Sequence, residues 1–305
     1  MTRPVPTVNN QPLLGFINID KPLHMTSHDC VAKVRRWAKL KRVGHGGTLD
    51  PAATGVLPLA LGKATRLLQF LPNSKAYEAT IRLGCRTSSD DLEGEILEQN
   101  PAPELTLEAI KPYFSNFLGK IEQIPPLYSA IQKDGQRLYD LARKGQTVEV
   151  PPRQVEITQM KVLGWKEGDF PELTLHIACK SGTYIRSLAR DLGDCLGVGG
   201  TLAGLRRTES SGFSLEKSLS LAALERQLPN GTLTPLAADY PLQHLQRIDL
   251  DAPAAKRWCQ GQFLVLSEEN RENSFVRVYG ENGFFLGIGE KEPPQHLKPK
   301  TVIAT

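Results

Sequence analysis

What the chain lacks narrows its chemistry before any motif is considered. Its 305 residues hold five cysteines (Cys30, Cys85, Cys179, Cys195 and Cys259), and no two of them form a C-x-x-C pair. An odd and scattered set argues against both a disulfide framework and a cysteine zinc site. No apolar run approaches the span of a bilayer, and the opening MTRPVPTVNNQP contains no apolar export core. These absences read as a soluble protein of a reducing compartment, the cytoplasm. A dinucleotide fingerprint is missing too. Gly62-Lys63 fails as a phosphate loop, because position 57 is Leu rather than Gly and position 64 is Ala rather than Ser or Thr. His24 and His28 stand at i, i+4, but Met25-Thr26-Ser27 lies between them and the glutamate of a zinc protease is absent. No metal and no cofactor are expected.

The bulk composition is that of a globular protein with a proper core, 40% hydrophobic and 23% charged, and the length favours two domains. A net charge of +4 permits nucleic-acid binding without demanding it, so the placement of the basic residues decides. They concentrate early. Thr26-Ser27-His28-Asp29 has the form of a capping box, and it opens a helix with Val31, Val34 and Ala38 on one stripe. The other faces carry Lys33, Arg35, Arg36, Lys39, Lys41 and Arg42 with no acid among them. Such a run is ordinarily a solvated helix face; without acidic balance it also suits phosphate contacts.

Before that helix, Leu13–Ile19 reads as a buried strand, and residues 1–12 as a loosely attached terminus. Behind the helix lies a glycine-dense loop, Gly44 to Gly55, which presents Asp50 ahead of Pro51. Pro51 biases Asp50 toward extended backbone. A lone Asp-Pro in a loop is usually turn chemistry. Period-two alternation predicts a strand with Tyr77, Ala79, Ile81 and Leu83 on one face, which makes Tyr77 a core aromatic on pattern alone. A short helix is expected at 106–118, and residues 122–153, with Pro125-Pro126 and Pro151-Pro152, read as a surface insertion. Leu173, Leu175, Ile177 and Cys179 alternate again and run through Ser181-Gly182 into a helix with Ile185, Leu188, Ala189 and Leu192 inward. Residues 230–246 read as a connection, and Asn282-Gly283 between Phe275–Tyr279 and Phe284–Ile288 is a hairpin signal.

Several of these segments, in this order, resemble the TruB-type pseudouridine synthases. The loop Gly47-Thr48-Leu49-Asp50-Pro51-Ala52-Ala53-Thr54-Gly55 resembles their catalytic loop. Phe16–Pro22 with Thr26–Asp29 resembles their N-terminal signature, and Lys75-Ala76-Tyr77 with Ile81–Gly84 their second motif. Ile124–Gly145 is similar to their RNA-gripping insertion, Ser181–Arg186 with Asp191-Leu192-Gly193 to their third motif, and Leu205–Thr208 with Ser211-Gly212-Phe213 to their last catalytic element. Two departures are visible: Thr87-Ser88-Ser89 stands where the family usually reads T-D-T, and no function is carried over to it, while the short C-terminal module resembles a PUA domain only loosely.

The resemblance implies an α+β pseudouridine synthase fold with a mostly antiparallel central sheet over 13–245, followed by a small PUA-like β domain over 246–305. It implies an isomerase for the uridine at tRNA position 55, in the T-arm, that works as a monomer without cofactor or obligate protein partner. Asp50 becomes the catalytic carboxylate, Arg186 the arginine that pairs with it, and Tyr77 the ring that stacks on the flipped base. His45, Tyr184, Leu205 and Lys21 become substrate-binding or supporting residues. Arg36, Lys39, Arg42, Arg137 and Arg143 become contacts to the RNA backbone. The reaction moves uracil from its N-glycosidic bond to a bond through C5, with no net redox change or hydrolysis. A carboxylate serves it by attacking ribose C1′, by assisting departure of uracil to a glycal, or by adding to C6. Two classes stand against each other: this enzyme, and an RNA-binding or tRNA-folding module on the same scaffold. Asp50, Tyr77 and Arg186 together favour the enzyme, since a binder has no need of all three.

Overall fold

The computed structural model describes residues 7–8, 11–128, 132–133, 136–137, 150–266 and 273–304, with side chains over 13–128, 150–266 and 273–304. The chain divides into two compact units, one of residues 1–50, 56–72 and 211–305, the other of 51–55 and 73–210.

The first unit begins with strand β1 (Gly15–Lys21) and helix α1 (Ser27–Trp37). The expected capping box forms: Thr26 Oγ1 accepts from the Asp29 backbone N–H at 3.0 Å, and the Thr26 N–H donates to the Asp29 carboxylate at 2.9 Å. The predicted stripe of α1 is the buried one, with Val31, Val34 and Ala38 at 4%, 0% and 1% exposure. Strand β2 (Val43–His45) then lies antiparallel to β3 (Ala53–Leu61). The glycine-dense stretch therefore ends in paired strands on both sides, with residues 46–52 as the loop between them. A 3-10 helix, Gly62–Phe70, follows and had no signature in the sequence.

In the second unit the alternating segments become neighbouring strands. They are β4 (Ser74–Leu83), β5 (Gly119–Gln123), β6 (Arg153–Lys166), β7 (Glu172–Lys180) and β8 (Gly200–Ser210), with helix α2 (Ile185–Cys195) between the last two. Their order is β8-β4-β7-β6-β5, every pair antiparallel, with the first three residues of β3 added in parallel to β8. The predicted face of β4 is buried: Tyr77 is 6% exposed, and Ala79, Ile81 and Leu83 are 0% exposed. The helix expected at 106–118 is one α turn, Leu107–Ile110, continued as 3-10 helix over Lys111–Phe117. Residues 85–103 include a strand pair, Cys85–Thr87 with Ile96–Gln99.

The chain then returns to the first unit through β9 (Leu219–Ser220), parallel to β1, and α3 (Leu221–Gln227). Its last part is a five-stranded sheet of β10 (Gln246–Leu250), β11 (Leu264–Val265), β12 (Ser274–Gly280), β13 (Phe285–Glu292) and β14 (His296–Val302), in the order β10-β12-β13-β14-β11, with helix α4 (Ala252–Cys259). The Asn-Gly hairpin joins β12 and β13 as expected, with Gly283 at φ +71°. This sheet has its own core around Trp258, Val276, Val278 and Leu297. Ile288 of β13 and Ile303, just past β14, belong instead to the core formed by Phe16, Val56, Leu67, Phe70 and Phe213. Lys63 and Arg66 donate to the carbonyls of Ile303 and Val302, at 3.4 and 2.9 Å. Residues 230–246, read as a connection, are packed as well: Leu236 pairs with Phe16, and Leu242 is fully buried. Among the described residues no helix is long and apolar enough to cross a membrane.

Candidate active site

In the first unit, the stretch that carries Asp50 is held at both ends. Gly46 N–H donates to the Pro58 carbonyl at 2.8 Å, so the turn leaves β2 still pinned to β3. A Cβ on Gly46 would lie 2.9 Å from Leu71 Cδ1, so a side chain there would make the leucine shift. Gly47 takes φ +137° and donates to His45 Nδ1 at 3.3 Å. That bond makes Nδ1 an acceptor, and in a neutral imidazole it leaves the proton on Nε2.

The residue before Asp50 is clamped. Leu49 N–H donates to Ser27 Oγ at 2.8 Å, and Ser27 Oγ–H donates back to the Leu49 carbonyl at 3.0 Å. Both residues are buried, at 2% and 4% exposure. One hydroxyl thus satisfies both backbone groups of Leu49 and fixes the peptide that leads into Asp50. Ser27 is the first residue of α1, so the basic helix and the acidic loop share this anchor. The sequence suggested only a capping role for this segment. Asp50 itself is half-buried. Lys21 is fully buried, and its ammonium donates to the carbonyls of Pro22 at 2.9 Å and Met25 at 2.7 Å, bracing the turn that enters α1. Arg36, Lys39 and Arg42 are all exposed.

In the second unit, the far end of the motif is fixed on β8. Ala53, Thr54 and Gly55 lie opposite Leu205, Arg206 and Arg207, and Arg206 Nη1 donates to Thr54 Oγ1 at 3.3 Å. Gly55, at φ +104°, has the Arg207 carbonyl 2.2 Å from where a Cβ would be, so only glycine fits. On the same sheet face, Tyr77 of β4 lies between Ile177 of β7 and Arg207 of β8, and Ala79 lies between Leu175 and Leu205. Arg207 is fully buried and hydrogen-bonds the Tyr77 phenol. Desolvation lowers its guanidinium from the ordinary value, and the phenol acts against that. Sequence reading left Arg207 without a role, because nothing in an Arg-Arg pair marks one member as buried.

Arg186 occupies the first turn of α2 at 6% exposure. Its Nη1 donates to the Ser89 carbonyl at 3.2 Å and Nη2 to the Tyr128 carbonyl at 2.9 Å, and Nε lies 3.8 Å from the Asp91 carboxylate. Asp91 is in turn held by Ser89 Oγ–H at 2.5 Å and by Glu93 N–H at 3.1 Å. The Thr87-Ser88-Ser89 departure therefore sits in the turn that grips Arg186. Arg190 braces the same turn by donating to Asp90 at 2.9 Å. Burial raises the Asp90 carboxyl above the usual range, and Arg190 opposes it. The Gln123 amide brackets Tyr184, accepting from its N–H at 2.8 Å and donating to its carbonyl at 3.0 Å. Tyr184 and Leu205 are half-buried. Arg143 lies outside the described residues; Arg137 falls in a two-residue strand whose side chains are likewise outside them. Among the described residues no group of His, Cys, Asp and Glu is placed to hold a metal ion.

Comparison with known families and structures places these features in context. Residues 35–185 match the TruB family pseudouridylate synthase N-terminal domain. Residues 186–236 match the tRNA pseudouridylate synthase B C-terminal domain, and residues 247–303 the pseudouridine synthase II TruB C-terminal family. The tRNA pseudouridine synthase B of Trichormus variabilis is 60% identical over 277 residues, covering 90% of this chain and 94% of that protein. The protein of the same name from Synechocystis sp. is 52% identical over 297 residues, covering 95% and 100%. Among solved structures, a chain from a Cbf5-Nop10-Gar1 complex aligns over 96% of this chain and 84% of its own, with a TM-score of 0.69 at 26% identity.

Proposed function

Since the chain belongs to the TruB family of pseudouridylate synthases, we propose that it converts the uridine at position 55, in the T-arm of tRNA, with Asp50 as the essential carboxylate. The observation that carries this reading is the Ser27 clamp on Leu49, with hydrogen bonds of 2.8 and 3.0 Å. A carboxylate that must meet one atom of a ribose or a uracil needs its backbone immobilised beforehand, and a turn residue without a chemical task does not.

The remaining residues fall into roles around it. Arg186, its planar fork bonded to two carbonyls, takes the family's role of the arginine that pairs with the catalytic carboxylate. The target uridine leaves its stack, and the Tyr77 ring replaces the lost stacking, worth roughly 1–3 kcal/mol. Arg207 holds the Tyr77 phenol in one orientation. His45, Tyr184 and Leu205 take the substrate-binding roles that the resemblance gives them, and Lys21 supports the turn that enters α1. The C1′–N1 bond breaks, a C1′–C5 bond forms, the C5 proton leaves and N1 gains one, so the reaction balances without a co-reactant. Arg36, Lys39 and Arg42 with Arg137 and Arg143 neutralise backbone phosphates. Residues 13–245 form the catalytic part and 246–305 a PUA-like RNA-binding part of a cytoplasmic monomer. The test is to incubate the purified protein with unmodified tRNA and map pseudouridine at single-nucleotide resolution. Conversion of uridine 55 is expected; binding without conversion would leave a tRNA-folding module instead.

A further inference from the structure

Lys75 is a half-buried cation that the proposed chemistry does not use. It ends the row Lys75, Tyr77, Ala79, Ile81, Leu83 on the inner face of β4, two residues and about 6.6 Å along the strand from Tyr77. On β7 it stands opposite Cys179, and on β8 opposite Ser210. The groups acting on it are Arg207 and the Cys179 thiol, and no carboxylate is among them. Cys179, whose thiol burial pushes up to about 11 and which hydrogen-bonds Thr183, supplies no negative charge near neutral pH. Desolvation, with the Arg207 charge second, brings the Lys75 ammonium down to about 8. Beside it, Ser210 is fully buried and its hydroxyl has no hydrogen-bond partner among the described residues.

Two polar groups facing each other across a strand pair, both short of a partner, are costly unless a ligand completes them. Residues directly opposite on antiparallel strands have Cβ atoms about 4.5–5.5 Å apart, so one small anion can reach both. We infer that Lys75 and Ser210 form a subsite for an RNA backbone phosphate next to the target nucleotide, whose base Tyr77 receives. This rests on the tRNA reading above and adds a phosphate site within the second unit, apart from the basic helix. The phosphate supplies the missing counter-charge, so binding raises the affinity of Lys75 for its proton. The contribution of Lys75 to tRNA binding is therefore complete below pH 8 and is lost as the pH rises above it.

The experiment measures tRNA affinity against salt and pH, and single-turnover rate at saturating enzyme, for wild type and four variants with an unmodified tRNA transcript. Lys75→Gln should bind about tenfold more weakly, and its slope of log affinity against log salt should fall by roughly 0.7–0.9. Its rate at saturation should stay unchanged. Lys75→Arg should keep the slope and lose the weakening between pH 7 and 9. Lys75→Met should raise the melting temperature while binding weakly, since an uncompensated, half-buried cation is removed. Ser210→Ala should weaken binding a few-fold with no loss of stability. Wild-type affinity for Lys75→Gln, or an unchanged salt slope, would overturn the subsite. So would a fall in rate at unchanged affinity, which would make Lys75 a proton carrier. A wild type that fails to convert tRNA would refute the functional reading itself, independently of Lys75.

Discussion

Lys39→Gly should make the protein more stable and a poorer RNA binder at once. Lys39 follows the C-cap of α1 with φ +50°, the left-handed conformation in which glycine is at home. The motif around it is complete: Lys39 N–H donates to the Arg36 carbonyl at 3.2 Å and Leu40 N–H to the Arg35 carbonyl at 3.1 Å. Leu40 packs at 9% exposure into the same core as Val34. A side chain in this conformation costs about 1 kcal/mol relative to glycine. At roughly 2.1 cal/mol/K of unfolding entropy per residue, that relief over 305 residues lifts the melting temperature by about 1–2 °C. Loss of one phosphate contact should lower the slope of log affinity against log salt by about 0.9. Differential scanning calorimetry and salt-titrated binding read the two effects. Lys39→Ala serves as the control that loses the charge but keeps the strain, so it should match the binding loss without stabilisation. A lower melting temperature for Lys39→Gly would refute the strain argument. An unchanged slope would remove Lys39 from the RNA contacts.

Three further outcomes follow from the geometry. Ser27→Ala strips both backbone groups of Leu49 of their partner, so stability should fall by about 1–3 kcal/mol and single-turnover rate at least tenfold, with tRNA affinity preserved; an unaltered rate would mean that the clamp does not position Asp50. Arg186→Lys should slow the chemical step roughly 10–100-fold, because an ammonium cannot replace a fork bonded to two carbonyls and facing Asp91, each such charged bond being worth about 1.5–3 kcal/mol; weaker binding at an unchanged rate would make it a phosphate contact. Ile288→Ala, in the core shared with Phe16 and Val56, should cost about 2–5 kcal/mol and lower the melting of that whole unit, whereas a separate early transition confined to residues 246–305 would show the C-terminal sheet to be independent.

The fold was legible wherever the signal is local. Period-two alternation found β4 and β7 because one face of each is buried, and Thr26–Asp29 and Asn282-Gly283 announced a helix start and a hairpin through their own backbone chemistry. The 3-10 helix at Gly62–Phe70 and the strand Ala53–Leu61 left no such trace. The strand is buried on nearly every residue and so has no alternation, and Pro58 argues against it. The candidate site divides in the same way. Motifs single out Asp50, Tyr77 and Arg186 as candidates, but not the groups that hold them. Ser27 reaches Leu49 across 22 positions, Arg186 meets Ser89 across 97, and Arg207 finds Tyr77 only because β8 lies beside β4. Pairings of that kind depend on strand order, which no single segment encodes. The C-terminal sheet shows the same limit: its hairpin was visible, while its share in the core of Phe16 and Val56 was not.

The central claim is that Asp50 performs the chemistry on a backbone held in advance, and Asp50→Asn tests it most directly. The amide keeps the size and most polar contacts of the carboxylate and removes its charge. With unmodified tRNA under single-turnover conditions at saturating enzyme, the variant should form no pseudouridine while binding tRNA within several-fold of wild type. Retention of more than a few per cent of the wild-type rate would contradict the account.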